Sequence, residues 1–149
     1  MLIRWMEDRD IPAVAELEKQ AFSMPWSEKA LKESLAQEYY SFLVAEVQGQ
    51  VAGYMGLYRV LDESDVTNIA VAQQYRRQGI GQALLARMLQ LVQEKGIHLV
   101  NLEVRAGNLG AIALYEKMGF QTIGYRKNFY EKPVEDAVLM QWQGESVIY

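Results

Sequence analysis

The stretch Leu99-Val100-Asn101-Leu102-Glu103-Val104-Arg105 leads, two residues later, into Asn108-Leu109-Gly110-Ala111-Ile112-Ala113-Leu114-Tyr115-Glu116-Lys117-Met118-Gly119-Phe120. The first part alternates as a strand does, with Leu102 and Val104 on one face and Asn101, Glu103 and Arg105 on the other. The second part reads as a helix. Asn108 is a capping type, Ile112, Leu114, Tyr115 and Met118 give an apolar face, and Gly119 is a stop. Asn108 and Tyr115 are seven positions apart, about two turns, so they share one side of that helix. Tyr115 is thereby expected near the C-terminal end of the strand. Glu103 then fits either a reacting carboxylate or a solvated residue ion-paired with Arg105. Tyr115 fits either a reacting phenol or a core aromatic with a satisfied hydroxyl.

Working outward, the pattern upstream is also helical. Ile80, Leu84, Leu85, Met88, Leu91 and Val92 form one stripe over Gly79–Lys95, and Gly96 suits the position after the last turn. Ahead of it lies Arg76-Arg77-Gln78-Gly79-Ile80-Gly81. Glycines at a strand-to-helix junction let backbone N–H groups converge on an anion, and the helix N-terminus adds about half a positive charge. Arginines there suit a diphosphate. The alternative is a plain glycine-rich turn with two solvated arginines. No Gly-Lys-Ser/Thr follows, so this is not a nucleotide-triphosphate loop, and no third glycine completes a dinucleotide fingerprint.

The first half of the chain is punctuated differently. Leu2–Met6 alternates as a strand, and Asp10 with Pro12 opens a helix in which Val14, Leu17 and Glu18 to Phe22 continue. Ser23-Met24-Pro25-Trp26 ends it, and Ser27 is expected to cap a helix to about Gln37. Phe42–Val47 and Val51–Tyr58 are strand-like and joined at Gln48-Gly49-Gln50, a hairpin signal. Asp65–Val71 is a further strand, and Phe120–Tyr125 and Ala137–Trp142 close the chain. The order β-α-α-β-β-β-α-β-α-β-β predicts a mixed α/β sheet with helices on its faces.

The whole chain, 1–149, reads as one domain, with half its residues apolar and 23% charged. A net charge of −4 argues against a protein that lives on nucleic-acid phosphates. No cysteine is present, which removes disulfides, thiolate metal sites and cysteine nucleophiles, and the single histidine, His98, removes a site built on several imidazoles. No metal is therefore expected, and His98 is expected to be structural. The charged N-terminal stretch does not read as a leader, and no apolar run approaches a membrane span, so a cytoplasmic protein without membrane partners is expected. Chemistry is left to carboxylates, hydroxyls, amines and backbone amides.

Together the two motifs resemble the GNAT family of acyl-coenzyme A N-acetyltransferases. The Arg-x-x-Gly-x-Gly loop is similar to that family's pyrophosphate loop, and Asn108 to Phe120 is similar to its second signature. Phe22-Ser23-Met24-Pro25-Trp26-Ser27, Asn68-Ile69-Ala70-Val71, Leu102-Glu103-Val104-Arg105 and Glu135-Asp136-Ala137 resemble its RimI-type branch, which acetylates the N-terminal alanine of a ribosomal protein. Gly107, Gly110, Phe129 and the short segment between Tyr130 and Glu135 depart from that branch. The resemblance implies a mostly antiparallel sheet of about seven strands flanked by about four helices, with acetyl-CoA as donor. It implies that the strand Asn68–Val71 splays from its neighbour. Amides near Ile69, Ala70 and Val71 would then hold the thioester arm. Arg76, Arg77, Gln78, Gly79, Ile80, Gly81, Gln82 and Lys117 would bind the cofactor, Asn108 would bond its arm, Glu103 would be the base, and Tyr115 would contact the cofactor and protonate the leaving thiolate.

The amine is constrained by arithmetic. Neutralising an α-amine at pH 7 costs roughly 1–1.4 kcal/mol, and a lysine amine about 4.6 kcal/mol. One carboxylate base, contributing roughly 10²–10⁴-fold, suits the α-amine better. A protein or peptide N-terminus, that of a ribosomal protein by resemblance, is the expected acceptor. A small-molecule amine, a lysine side chain and a non-catalytic acyl-CoA-binding module are the competing readings. Trp26, Tyr39, Tyr40, Tyr58, Phe129 and Tyr130 are candidates for the acceptor groove or for the core. Asp62, Glu63, Asp65, Glu135 and Asp136 offer acidic surface for a basic partner. No sequence feature sets the oligomeric state.

Overall fold

A computed structural model describes residues 1–144. Each element follows from a local cause. Ser27 Oγ accepts from the Ala30 N–H at 3.1 Å, and the helix α2 runs from there over Glu28–Leu35. Gln48 and Gly49, both with positive φ, make a two-residue turn between β2 (Tyr40–Val47) and β3 (Gln50–Val60). Gly79, left-handed at φ 77°, stands immediately before α3 (Ile80–Glu94). Asn108 Oδ1 accepts from the Ala111 N–H at the start of α4 (Leu109–Lys117).

The strands β1 (Leu2–Trp5), β2, β3, β4 (Glu63–Val71), β5 (Leu99–Arg105), β6 (Gln121–Tyr130) and β7 (Glu135–Gln143) form one sheet in the order β1-β2-β3-β4-β5-β7-β6. All neighbours are antiparallel except β4 and β5. With the helix α1 (Ile11–Ala21), four α-helices flank the sheet among the described residues, as the sequence leads one to expect. One core lies under α1 and α2 and contains Val14, Leu17, Leu31, Phe42, Val44 and Tyr54. The other lies under α3 and α4 and contains Met55, Leu84, Met88, Leu102, Val104 and Tyr115. Gly53 lets α3 approach the sheet closely, because a Cβ there would meet Ala70 O and Ile80 Cγ2 at 3.1 Å.

Several bounds differ from expectation, for local reasons. Asp10 does not cap α1 with its side chain. A 3-10 turn at Asp8–Asp10 feeds straight into the helix, so Asp10 is already helical. Its carboxylate instead accepts from the Glu7 N–H at 2.8 Å and from both Nη atoms of Arg4 at 2.7 and 2.8 Å. The bidentate Arg4 guanidinium holds the Asp10 carboxyl below the usual carboxylate range. The helix α2 ends at Leu35, short of Gln37, and β3 runs past Tyr58 to Val60. The strand β6 continues past Tyr125 to Tyr130. It is an edge strand exposed along most of its length, so no apolar alternation marks its second half.

Candidate active site

The parallel contact between β4 and β5 lasts only from Glu63–Leu99 to Asp65–Asn101. Beyond it the strands part. A bulge at Thr67, opposite Gly56 and Leu57, marks where β4 changes course. The split opens at the C-terminal ends of two parallel strands, where α/β sheets place their ligands.

The ladder to β3 shows which groups face the opening. Ala72 N–H donates to Ala52 O, and Ala70 pairs with Tyr54 in the same phase. The alternation of an antiparallel pair therefore turns the N–H and C=O of Ile69 and Val71 away from β3, toward the departed strand. Val71 O accordingly accepts from Arg76 Nε at 3.3 Å. The backbone at Ile69 and Val71 thus presents strand amides with no strand to pair.

The loop that follows adds further N–H groups. Arg77 (φ 63°) and Gly79 (φ 77°) are both left-handed, with Gln78 between them. Alternating hand turns successive amides to one side, as in an anion nest. Arg76, Arg77, Gln78 and Gly79 are exposed, while Ile80 is buried and anchors the helix. A Cβ on Gly81 would lie 3.6 Å from Leu114 Cδ2 and 3.8 Å from Val71 Cγ2, so β4, α3 and α4 converge there. Lys117 Nζ donates to Gln82 Oε1 at 3.1 Å and joins the two helices beside the loop. Asn108 is committed through Oδ1 to its cap, which leaves its amide nitrogen for other work.

On β5, Leu102 and Val104 enter the core and Glu103 is exposed on the opposite face. Arg105 does not pair with Glu103. It pairs with Glu135 at 3.2 Å, donates to the carbonyls of Glu131 and Pro133, and lies 4.5 Å from the Tyr130 ring centroid. Glu135 also accepts from the Gly107 N–H at 2.7 Å. This clamp fixes the β6–β7 hairpin against β5 and leaves the Glu103 carboxylate with no hydrogen-bond partner on another residue among the described residues. Desolvation and the nearby Asp65 push the Glu103 carboxyl above the usual carboxylate range, against the pull of Arg126.

Tyr115 is 5% exposed, and its ring packs on Phe120. Its hydroxyl has no hydrogen-bond partner among the described residues, unlike a satisfied core tyrosine. Burial, with a smaller contribution from Tyr130, raises its phenol above the ordinary value. Tyr130 feels Glu103 as well. Burial first, then the charge of Glu103, push its phenol up to about 12. Tyr130 therefore stands within electrostatic reach of both Glu103 and Tyr115.

The aromatic candidates separate into two groups. Trp26, Tyr40 and Phe42 pack on one another, with Tyr39 and Tyr58 against Tyr40. Phe129 and Tyr130 sit edge to face on the hairpin. Among the acidic candidates, Glu135 is consumed by the Arg105 clamp and Asp136 accepts from the Asn128 N–H, while Asp65 stays exposed near Glu103. His98 lies just before β5, and its carbonyl accepts from the Gly144 N–H. Among the described residues no cluster of potential metal ligands occurs and no helix is long and apolar enough to cross a membrane.

Sequence reasoning did not single out Glu18. It is 1% exposed and accepts hydrogen bonds from three side-chain or backbone donors. The signal was present: a carboxylate occupies the same helical stripe as Val14 and Leu17.

The family model of the acetyltransferase (GNAT) family matches residues 11–120. The ribosomal protein bS18-alanine N-acetyltransferase of Escherichia coli K12 is 39% identical over 137 residues, covering 91% of this chain and 92% of that protein. The corresponding protein of Haemophilus influenzae is 37% identical over 142 residues, covering 93% and 96%. The crystal structure of the Escherichia coli ribosomal-protein-S18-alanine N-acetyltransferase superposes with a TM-score of 0.89 at 36% identity, over 99% of both chains. That of Ard1 from Thermoplasma volcanium superposes with a TM-score of 0.90 at 27% identity, over 97% of this chain and 98% of the other.

Proposed function

This chain belongs to the acetyltransferase (GNAT) family, and from that premise we propose that it acetylates the α-amine of an N-terminal alanine on a ribosomal protein of the small subunit. Its relatives named as bS18-alanine N-acetyltransferases support the acceptor. The observation that carries the chemistry is the split between β4 and β5. It has free backbone amides on one side and an unpartnered Glu103 on the other. Bacterial ribosomal proteins are made in the cytoplasm, which is where such an enzyme would act.

Acetyl-CoA, the donor of this family, supplies an activated thioester carbonyl. The residues fit it. The loop Arg76–Gly79, left-handed at Arg77 and Gly79, and the first turn of α3, with Ile80, Gly81 and Gln82, would receive the pyrophosphate, and Lys117 would add charge beside them. Ile69 and Val71 donate backbone hydrogen bonds across Ala70, one toward the oxygen on which negative charge develops. Asn108 Nδ2 is free to bond the thioester arm.

Glu103 accepts, through a water molecule, the proton that the amine nitrogen sheds as the new C–N bond forms. Tyr115 delivers its phenolic proton to sulfur as the C–S bond breaks. The products are an N-acetylated chain and a free thiol. Burial keeps the proton on Tyr115, so the phenol is present as a donor when the thiolate departs. Incubation of the purified chain with acetyl-CoA and an alanine-initiated peptide from a ribosomal protein should give an N-terminally acetylated product by mass spectrometry. No turnover on any α-amine peptide, or faster turnover on polyamines, would overturn the reading.

A further inference from the structure

Glu18, on α1, is buried on a helix already anchored by Ile11, Val14 and Leu17. No cation pairs with it among the described residues. Its Oε1 accepts from the Trp26 N–H at 2.8 Å, and its Oε2 accepts from the Tyr54 hydroxyl at 2.7 Å. Asn68 Nδ2 straddles both oxygens at 3.2 and 3.1 Å. A carboxylate is the side chain that accepts at two oxygens and offers no donor of its own, which is what three converging donors require. For holding α1 on the sheet alone, an apolar residue would serve as well or better.

The three donors come from separate places. Tyr54 is on β3, in the middle of the sheet, and its side chain is in the core beneath α1 and α2. Asn68 is on β4 beside the bulge, one residue before Ile69, whose amide faces the split. Trp26 is in the turn between α1 and α2. That turn reaches the Glu103 face of the sheet, because Ser23 Oγ lies 3.4 Å from Arg105 Nη2. One buried carboxylate thus ties the strand edge on the donor side to the turn on the acceptor side. The strand has its ladder to β3 as a second restraint, whereas the turn has no ladder.

We propose that Glu18 is a positioning residue for the acceptor: it fixes the turn through Trp26 N–H against the Asn68 end of β4, so that the incoming amine meets a preformed site. This rests on the acceptor reading above. The test is steady-state kinetics of E18Q with the alanine-initiated peptide. Glutamine keeps the size and one acceptor oxygen but sets an amide donor against the Tyr54 hydroxyl and Asn68 Nδ2. The acceptor KM should rise about tenfold while the acetyl-CoA KM stays within about twofold. In the double variant E18Q/N68D the donor and acceptor are exchanged, and the acceptor KM should return to within about threefold of wild type.

A lowered melting temperature with both KM values unchanged would mean a merely structural role and would overturn the proposal. Should E18Q not fold, the wild-type chain decides by hydrogen exchange. The Trp26 amide, outside any helix or strand, should be protected about a hundredfold without ligand, and an unprotected amide would overturn it. A wild type inactive on every α-amine peptide overturns the acceptor reading and this proposal with it. An active wild type whose E18Q variant keeps its acceptor KM overturns the role of Glu18 alone.

Discussion

Two glutamates and two tyrosines flank the split in this sheet, and they are used in opposite ways. On the α1 side, Glu18 and Tyr54 bond each other at 2.7 Å, and the carboxylate is saturated by further donors. On the other side, the Glu103 and Tyr115 side chains have no hydrogen-bond partner on another residue among the described residues. Burial raises the pKa of all four groups. The difference is therefore one of partners. A closed pair holds structure together. Open groups with perturbed pKa values remain able to take or give a proton. The saturated set reaches the split through Asn68, just past the end of the β4–β5 contact, whereas the open set lies across it on β5 and α4.

The sharpest way to break this contrast is Glu103→Gln. The open carboxylate should matter to chemistry, so kcat/KM should fall by roughly 10²–10⁴-fold, with coenzyme A binding by calorimetry unchanged. Tyr115→Phe comes next: kcat should fall about a hundredfold. Its thermal stability should move little, because the hydroxyl has no partner to lose. Arg77→Ala should weaken coenzyme A binding about tenfold through one lost charge-assisted contact, read as a raised Kd with little change in kcat. Tyr54→Phe is the mirror of Tyr115→Phe. It should lower unfolding free energy by about 2 kcal/mol in urea titration, since it strips a donor from a buried carboxylate. Equal stability losses in Tyr54→Phe and Tyr115→Phe would erase the distinction between closed and open.

Much of this was legible in the sequence because it is local. Ser27, Gly79 and Gly119 are punctuation whose meaning depends on a few neighbours. The period of Ile80, Leu84, Met88 and Val92 needs only one helix. Glu103 stood out as a charge on an apolar strand, and its place on the open face followed from alternation alone. What was not legible depends on distant partners. That Arg105 would choose Glu135 over Glu103 is decided by a hairpin about thirty residues away in sequence. That Asp10 would face Arg4 depends on where β1 lies. The length of β6 was hidden because an edge strand exposed on both faces carries no pattern. Glu18 was hidden because its partners Trp26, Tyr54 and Asn68 meet only in the folded chain, although its seat in an apolar stripe marked it.

The pH dependence of kcat/KM on an alanine-initiated peptide tests the open carboxylate most directly. The acceptor amine titrates near pH 8 in any variant and gives a slope of about one in log kcat/KM on its acid side. Glu103, raised above the ordinary carboxylate value of about 4.3, must also be deprotonated to accept a proton. In the wild type the slope should therefore steepen toward about two below the Glu103 pKa, whereas in Glu103→Gln it should stay near one. Identical profiles in the two proteins, at comparable rates, would contradict Glu103 as the base.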